Sequence, residues 1–423
     1  MENLRKYGPP IHTIEQVSLP KYNFCTLDNG VPLYSISQGT QEIIKIEVVF
    51  QSGRTYEQKK VVSRACNNQI KEGSSRMSSR QIVDHVDYYG ASIRTGENLD
   101  SCSISLFCLT KHFEILLPIL REVIMEPLFP EDELRKYIQT NSERLKIELV
   151  KNDVIAYRTI TESIFTKEHP YGYNSEISDY GALLREDLVQ HYENNYGANN
   201  CFIFLSGMVK DEHIAACNRF FGNGFRTANP REKIPQLIDP HPEKLIIESD
   251  KDFQTAIKLG RRVFDRNHAD YPGLYVLNSI LGGYFGSRLM SNIREDKGYT
   301  YNIYSEVDVM KHDGLLLIGT EVNADFAEKT IDEIFRELRL LREEPIGIEE
   351  LDMVRNYLLG RILNFIDGPF NSGRLLKSIV LSGLDENYFN NLVHTIKHVT
   401  TENLNVLANR YLNEDNMWLV RVG

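Results

Sequence analysis

The chain has 423 residues, of which 42% are hydrophobic and 25% are charged, and its formal net charge is −11. Its length and composition predict a globular protein of about two domains. We expect no nucleic-acid partner, because an acidic chain offers no general basic surface to neutralise phosphates. No run of apolar residues predicts a membrane span and the N-terminal segment has no apolar signal core, so we expect a cytoplasmic protein that does not bind membranes.

The first half of the chain begins with sheet-like patterns and continues into helices. An Asn-Gly turn at Asn29 precedes an apolar strand, and two helical stretches follow that strand. Alternating runs at 92–97 and 101–108 predict a strand pair. Long helical stretches come next, and a final helix leads into an apolar strand at 201–205.

A segment rich in proline and charge separates this half from the next. Residues 229–243 have the composition of an interdomain linker, which predicts a first domain at 1–228 and a second at 244–423. The second half repeats the earlier order, with a strand pair predicted at 300–307 and 315–321.

Matching segments in the two halves recur at a nearly constant offset. Glu133 corresponds to Glu350 at a separation of 217 residues, and the segment 188–207 corresponds to 404–423 at a separation of 216. A fixed offset indicates an internal duplication. The sequence therefore predicts an α+β fold of two homologous domains, each a mainly antiparallel sheet packed with helices.

Cysteine and histidine patterns give no metal site. The six cysteines include no Cys-x-x-Cys pair, so we expect buried free thiols. His394 and His398 lie one helical turn apart, but Lys397 stands where a general base would be needed and Glu402 is the only carboxylate nearby. We therefore expect this pair not to be a native metal site.

The strongest motif is the run at 286–301, Gly-Ser-Arg-Leu-Met-Ser-Asn-Ile-Arg-Glu-Asp-Lys-Gly-Tyr-Thr-Tyr. Its apolar spacing predicts a short amphipathic helix that carries Arg294 near its end and stops at Gly298. Tyr301 would then begin a strand. A guanidinium and a phenol at such a corner are both able to donate to a peptide carbonyl. The alternative is an ordinary surface arginine and a half-buried strand tyrosine.

This run resembles the second-domain signature of the pitrilysin and insulinase peptidases, the inverted zincins, which include mitochondrial processing peptidase and its bacterial relatives. The Asn-Gly turn after Leu27 and the strand leading to Gly53 are similar to the start of the same family. The resemblance covers nearly the whole chain and implies a fold like that of mitochondrial processing peptidase, also known as the LuxS/MPP-like metallohydrolase fold.

The resemblance also implies where a zinc motif would lie. Active members carry His-x-x-Glu-His on a first-domain helix, where two histidines bind zinc and the glutamate accepts a proton from the metal-bound water. Here the Gly-Ser that follows at Gly73 sets the register, and the five positions read Arg64-Ala65-Cys66-Asn67-Asn68. Because a permanent cation and two neutral amides replace the three functional side chains, we expect no zinc in this chain.

A third zinc ligand in the family comes from a glutamate on a long following helix, and Glu148 lies at about that place. Without the histidines Glu148 has no metal to bind, and its other interpretation is a solvated helix carboxylate. The degenerate metal positions are therefore Arg64, Asn67, Asn68 and Glu148.

The distribution of motifs resembles that of bacterial heterodimeric members, in which one subunit carries the metal and its partner carries the Arg and Tyr pair. The resemblance implies a catalytically incomplete metallopeptidase homologue, inactive alone, that pairs with a zinc-containing catalytic homologue. Arg294 and Tyr301 would bind and orient a peptide or unfolded polypeptide for proteolysis. Without that partner we expect the chain to form a homodimer. The alternatives are a structural or binding homologue with no proteolytic role, and a hydrolase with a relocated metal site.

Overall fold

A computed structural model describes residues 14, 17–233, 240–249 and 253–423. The predicted linker at 229–243 includes residues 234–239, which lie outside these ranges. Residues 1–13, from which no export signal is predicted, lie outside them as well.

The first half forms a six-stranded sheet with strand order β1-β2-β6-β3-β5-β4. Its strands are β1 (Asn23–Thr26), β2 (Pro32–Ser37), β3 (Ile43–Phe50), β4 (Ser92–Glu97), β5 (Cys102–Leu109) and β6 (Cys201–Gly207). Its helices are α1 (Val62–Gln69), α2 (Ser79–Tyr88), α3 (Phe113–Met125), α4 (Glu131–Glu148), α5 (Asn152–Phe165), α6 (Ile177–Gly181), α7 (Arg185–Asn195) and α8 (Asp211–Phe221).

The second half forms a five-stranded sheet with strand order β7-β11-β8-β10-β9. Its strands are β7 (Lys244–Ile247), β8 (Thr255–Arg262), β9 (Ile303–Val309), β10 (Gly314–Val322) and β11 (Trp418–Val422). Its helices are α9 (Tyr271–Leu281), a π-helix (Met290–Asp296), α10 (Ala327–Glu343), α11 (Ile348–Ile366), α12 (Gly368–Leu381), α13 (Glu386–His398) and α14 (Thr401–Tyr411).

The two sheets share one topology. Strands β2-β6-β3-β5-β4 and β7-β11-β8-β10-β9 follow the same order, with the first pair of each parallel and the other pairs antiparallel. The predicted α+β fold with mainly antiparallel sheets is confirmed. A shared topology is also what an internal duplication would produce.

Each sheet buries one face against its own helices and the other against a helix from the opposite half. Along β3, Ile44, Ile46 and Val48 are fully buried in the core of the first half, as the period of two in a strand requires. On the other face α12 packs against β2 and β6, while α5 of the first half packs against β8 and β11. The two halves therefore exchange one helix each.

Two ion pairs fasten the exchanged helices. The Lys377 ammonium on α12 lies 2.6 Å from the Glu47 carboxylate on β3, and the Lys258 ammonium on β8 lies 2.5 Å from the Asp153 carboxylate on α5. Burial opposes the charge of Glu47, but Lys377 and Lys45 outweigh it and lower the pKa of this carboxyl to about 2. Glu47 and Lys258 occupy matching places in the two sheets, facing Phe204 and Val420 respectively.

The structure can be compared with the predicted strand bounds, cysteine states and absence of membrane spans. Strand β4 has the predicted bounds, whereas β9 begins at Ile303 and not at residue 300. The later start has a physical cause, because the Thr300 hydroxyl donates to the Glu321 carbonyl at 2.7 Å and accepts from the Asn302 amide at 3.2 Å, which closes a turn. All six cysteines are free thiols as predicted, and the predicted burial holds for five of them, whereas Cys25 is half-buried. Within the described ranges no helix combines the length and apolarity that crossing a bilayer requires.

Candidate functional site

Three of the four positions predicted as a degenerate zinc motif, Arg64, Asn67 and Asn68, lie on α1, which begins under backbone strain. Val61, immediately before the helix, has a φ of 62°. This left-handed conformation is unusual for a β-branched residue and costs roughly 1–3 kcal/mol. Strain of this kind tends to persist at functional sites. Here it lies immediately before the helix that carries the predicted degenerate zinc positions.

All three replaced side chains bind the end of edge strand β4. The Arg64 Nε lies 2.6 Å from one Glu97 carboxylate oxygen, and the Asn68 amide donates to the other oxygen at 3.3 Å. Asn67 is buried and donates to the Gly96 carbonyl at 2.9 Å. Burial opposes the charge of Arg64, but Glu97 and Tyr180 raise the pKa of the guanidinium, which stays a cation. These positions do not fit zinc.

Glu148 is not gathered with the other three positions. It is the last residue of α4 and lies 3.0 Å from the Lys151 ammonium. Tyr137 of the same helix lies close enough to Arg64 to influence its pKa. Glu148 follows Tyr137 by 11 residues, about 16 Å along a helix axis. Within the described ranges no group of three or more His, Cys, Asp or Glu side chains is arranged to hold a metal.

No third His, Cys, Asp or Glu among the described residues is arranged to complete a metal site with the histidine pair on α13. The rings of His394 and His398 lie 4.6 Å apart on the surface and share a groove with Asp270. The Asp270 carboxylate already accepts hydrogen bonds from Arg410 and from the Tyr411 hydroxyl. Its negative charge is therefore engaged within the fold.

A cavity of about 410 Å³ lies between the two halves, and the former metal motif opens into it. Arg64 and Glu97 line it from the first half, and Asp308 and Arg374 line it from the second. The cavity wall is therefore polar and carries charges of both signs.

Glu57 lies beside this cavity and was not anticipated from the sequence. Its carboxylate accepts hydrogen bonds from the Tyr173 hydroxyl and, at 2.9 Å, from the Ser63 amide in the first turn of α1. Complete burial raises the pKa of Glu57 to about 7, because the loss of water outweighs those hydrogen bonds and the positive charge of Arg54.

Glu57→Gln is expected to become more stable relative to the native protein as pH rises. The native fold binds the Glu57 proton more tightly than the unfolded chain does, so its stabilising effect is present at pH 4.5 and is lost as pH passes about 7. Between pH 5 and pH 8 the difference in unfolding free energy between the two proteins should shift by up to about 3 kcal/mol. Urea unfolding at both pH values measures this shift, and an unchanged difference would contradict it.

The motif around Arg294 is held rigidly by its neighbours. The π-helix is closed by a hydrogen bond of 3.1 Å from the Lys297 amide to the Asn292 carbonyl, and Gly298 ends it with a φ of 66°. Arg288 and Glu350 form a bidentate ion pair with both contacts at 2.8 Å. A π-turn of this kind is rare and recurs at functional sites.

Among the described residues, the polar groups of Arg294 and Tyr301 have no hydrogen-bond partner. The guanidinium carbon of Arg294 lies 4.5 Å from the centroid of the Phe285 ring, and no described residue accepts a hydrogen bond from this guanidinium. Tyr301 is 89% exposed, whereas its backbone is held on both sides because the Thr320 hydroxyl donates to the Asn302 carbonyl at 2.8 Å and lies 3.0 Å from the Thr300 hydroxyl. The arrangement offers donors to an outside acceptor.

The two groups of predicted site residues stay apart within one chain. Neither Arg294 nor Tyr301 lines the cavity that Arg64 lines. Sequence reasoning did not anticipate the partners that define each group, Glu97 for Arg64 and Phe285 for Arg294. The available signal for Phe285 was its place in the glycine-rich run 282–286, directly before the helix that carries Arg294.

Comparisons with known proteins agree with this fold and motif. Residues 182–358 match the family described as the Peptidase M16 inactive domain, a stretch that contains Arg294 and Tyr301 but not positions 64–68. The uncharacterised zinc protease YmxG of Bacillus subtilis is 24% identical over 401 residues, which cover 92% of this chain and 95% of YmxG. The probable inactive metalloprotease YmfF of the same organism is 24% identical over 270 residues, 62% of each chain.

Solved structures share the fold. A peptidase M16 inactive domain from Pseudomonas fluorescens superposes with a TM-score of 0.85 at 22% identity, covering 95% of this chain and 98% of that one. A protease from Helicobacter pylori superposes with a TM-score of 0.88 at 17% identity, covering 96% and 100%. Residues 182–358 therefore match the M16 inactive-domain family, and nearly the whole chain shares its fold with M16 peptidase structures.

Proposed function

We propose that this chain is the non-catalytic subunit of a two-chain M16 peptidase, in which it binds and orients peptide substrates for a zinc-containing partner. The observation that carries the proposal is the contrast between its two motifs. Arg64, Asn67 and Asn68 all bind β4, whereas no described residue accepts a hydrogen bond from the Arg294 guanidinium and Tyr301 projects into solvent.

The chemistry of Arg294 and Tyr301 suits a peptide backbone. A guanidinium presents several N–H donors in a fixed plane, and a phenol adds one O–H donor, so both groups would donate to carbonyl oxygens beside the scissile bond. An extended peptide would lie along an edge strand of the partner's sheet, as in other cases of strand addition. Donors fixed before the substrate arrives lower the barrier by orienting the carbonyl and stabilising its developing negative charge.

The partner would supply the zinc and the general base. The metal-bound water needs a carboxylate to accept its proton, and Asn67 has only an amide at that position. The substrate is expected to be an unfolded or extended polypeptide, since the carbonyls of a folded segment are already paired within its own helices or sheets.

Mixing the purified chain with a family member from the same genome that carries an intact His-x-x-Glu-His motif is expected to increase cleavage of fluorescein-labelled unfolded casein. The Arg294→Ala, Tyr301→Phe double variant should reduce the rate to that of the partner alone, because both carbonyl donors are removed. The measurement is the initial rate of fluorescence release at fixed partner concentration.

A matched control variant removes one guanidinium and one phenol hydroxyl at positions outside the Arg294 motif. Arg361 lies over the Phe365 ring at 5.7 Å and Tyr88 is exposed, so Arg361→Ala, Tyr88→Phe should stimulate like the native chain. Absence of stimulation by the native chain would contradict the proposal and favour a binding scaffold with no proteolytic role.

A further inference from the structure

Phe285 is an exposed aromatic residue directly before the motif at 286–301. It lies in the loop between α9 and the π-helix and is 58% exposed. Arg294 covers one face of the ring, with its guanidinium carbon 4.5 Å from the centroid. Because a single arginine covers one face only, a large part of the ring remains open to solvent.

Neighbouring aromatic residues are engaged within the fold, and Phe285 differs from them. Tyr284 stacks on Tyr357 with the ring centroids 4.6 Å apart, and its hydroxyl contacts the Met353 sulfur at 3.6 Å. Among the described residues, Arg294 is the side chain that packs on the Phe285 ring. The Phe285 ring therefore contributes more to positioning Arg294 than to packing of the core.

The stacking also explains how Arg294 keeps a defined direction without a carboxylate. A flat guanidinium on an aromatic face is attracted by the ring quadrupole, and its N–H donors point outward from the edge of the plane. A carboxylate partner would hold the guanidinium equally well but would occupy those donors. An aromatic platform fixes the cation and leaves its hydrogen-bonding capacity for a ligand.

We infer that Phe285 is both a positioning residue for Arg294 and an apolar contact for the substrate. A peptide whose carbonyl reaches Arg294 would place a neighbouring side chain against the open part of the Phe285 ring. The inference rests on the proposed function and deepens it by naming the substrate class, extended polypeptides with an apolar side chain beside the carbonyl held by Arg294.

Two blocked, fluorescein-labelled decapeptides of alanine and glutamine test this inference, one with a single central leucine and the other with serine at that place. Fluorescence anisotropy with the full chain is expected to show about tenfold tighter binding of the leucine peptide, since burying one aliphatic side chain gives a preference of this order. Phe285→Ala should bind both peptides equally and weakly, while Phe285→Tyr should retain the preference.

Phe24→Ala is the matched control, because Phe24 is 56% exposed and packs on Tyr34 of the first sheet, at 5.0 Å between ring centroids. It should keep the native preference. The double variant Arg294→Ala, Tyr301→Phe should bind both peptides more weakly than the native chain does, and to the same degree. If the native chain binds both peptides equally, or if Phe285→Ala keeps the leucine preference, this inference is overturned while the proposed function stands. If the native chain binds neither peptide, this inference is overturned, and the casein assay with the partner decides the proposed function separately.

Discussion

Replacing Arg64 and Asn68 with histidine is expected to create a zinc site whose third ligand is Glu97. Positions 64 and 68 lie one turn apart on α1, which is the spacing that lets two histidines bind one metal from the same helix face. The two Glu97 oxygens already contact these positions, at 2.6 Å from Arg64 and 3.3 Å from Asn68. Removing Arg64 also frees the Glu97 carboxylate from its ion pair.

Zinc binding by Arg64→His, Asn68→His is measured by metal analysis after dialysis and by calorimetric titration. We expect one zinc per chain for the double variant and none for the native protein. Adding Glu97→Gln should abolish or greatly weaken binding, because an amide is a poor zinc ligand and two histidines alone leave the site incomplete.

Equal zinc affinity with and without Glu97→Gln would show that another residue completes the site. The double variant should remain without peptidase activity, because Asn67 still has no carboxylate to accept a proton.

Local patterns in the sequence predicted the elements that depend on local interactions. Strand β4 was predicted with its observed bounds because alternation and flanking turns are local signals. Gly298 was predicted to end the helix of Arg294, and its φ of 66° agrees. The motif at Arg294 was predicted as a simple amphipathic helix, and its π-turn was missed because the wider hydrogen bonding leaves no mark in apolar spacing.

Features that depend on contacts between distant segments were not predictable in this way. Glu148 was placed near the former metal site by its distance along the chain, but the geometry of α4 carries it about 16 Å beyond Tyr137. The exchange of α5 and α12 between halves depends on which sheet face each helix covers. Periodicity reports that a helix has an apolar face but not what that face meets.

Asp153→Asn is expected to destabilise the protein strongly because it leaves a buried cation without its counter-charge. The Lys258 side chain is 1% exposed, and besides Asp153 at 2.5 Å it donates to the Tyr304 hydroxyl at 3.0 Å. Burial alone would lower the pKa of Lys258, but Asp153 and Tyr304 raise it, so the ammonium depends on these two partners. Breaking a fully buried pair from one side costs roughly 3–5 kcal/mol, and because the Asp153 side chain is 41% exposed we expect about 2 kcal/mol here.

Adding Lys258→Met to Asp153→Asn should recover most of that loss, since the buried charge is then removed with its partner. Urea unfolding at pH 7 measures both variants. Glu143→Gln is the control, because Glu143 forms an exposed ion pair with Lys146 at 2.6 Å and its loss should cost at most about 1 kcal/mol. An equal cost for Asp153→Asn and Glu143→Gln would contradict the prediction. A large cost confined to Asp153→Asn would identify this pair as the contact that ties α5 of the first half to the sheet of the second.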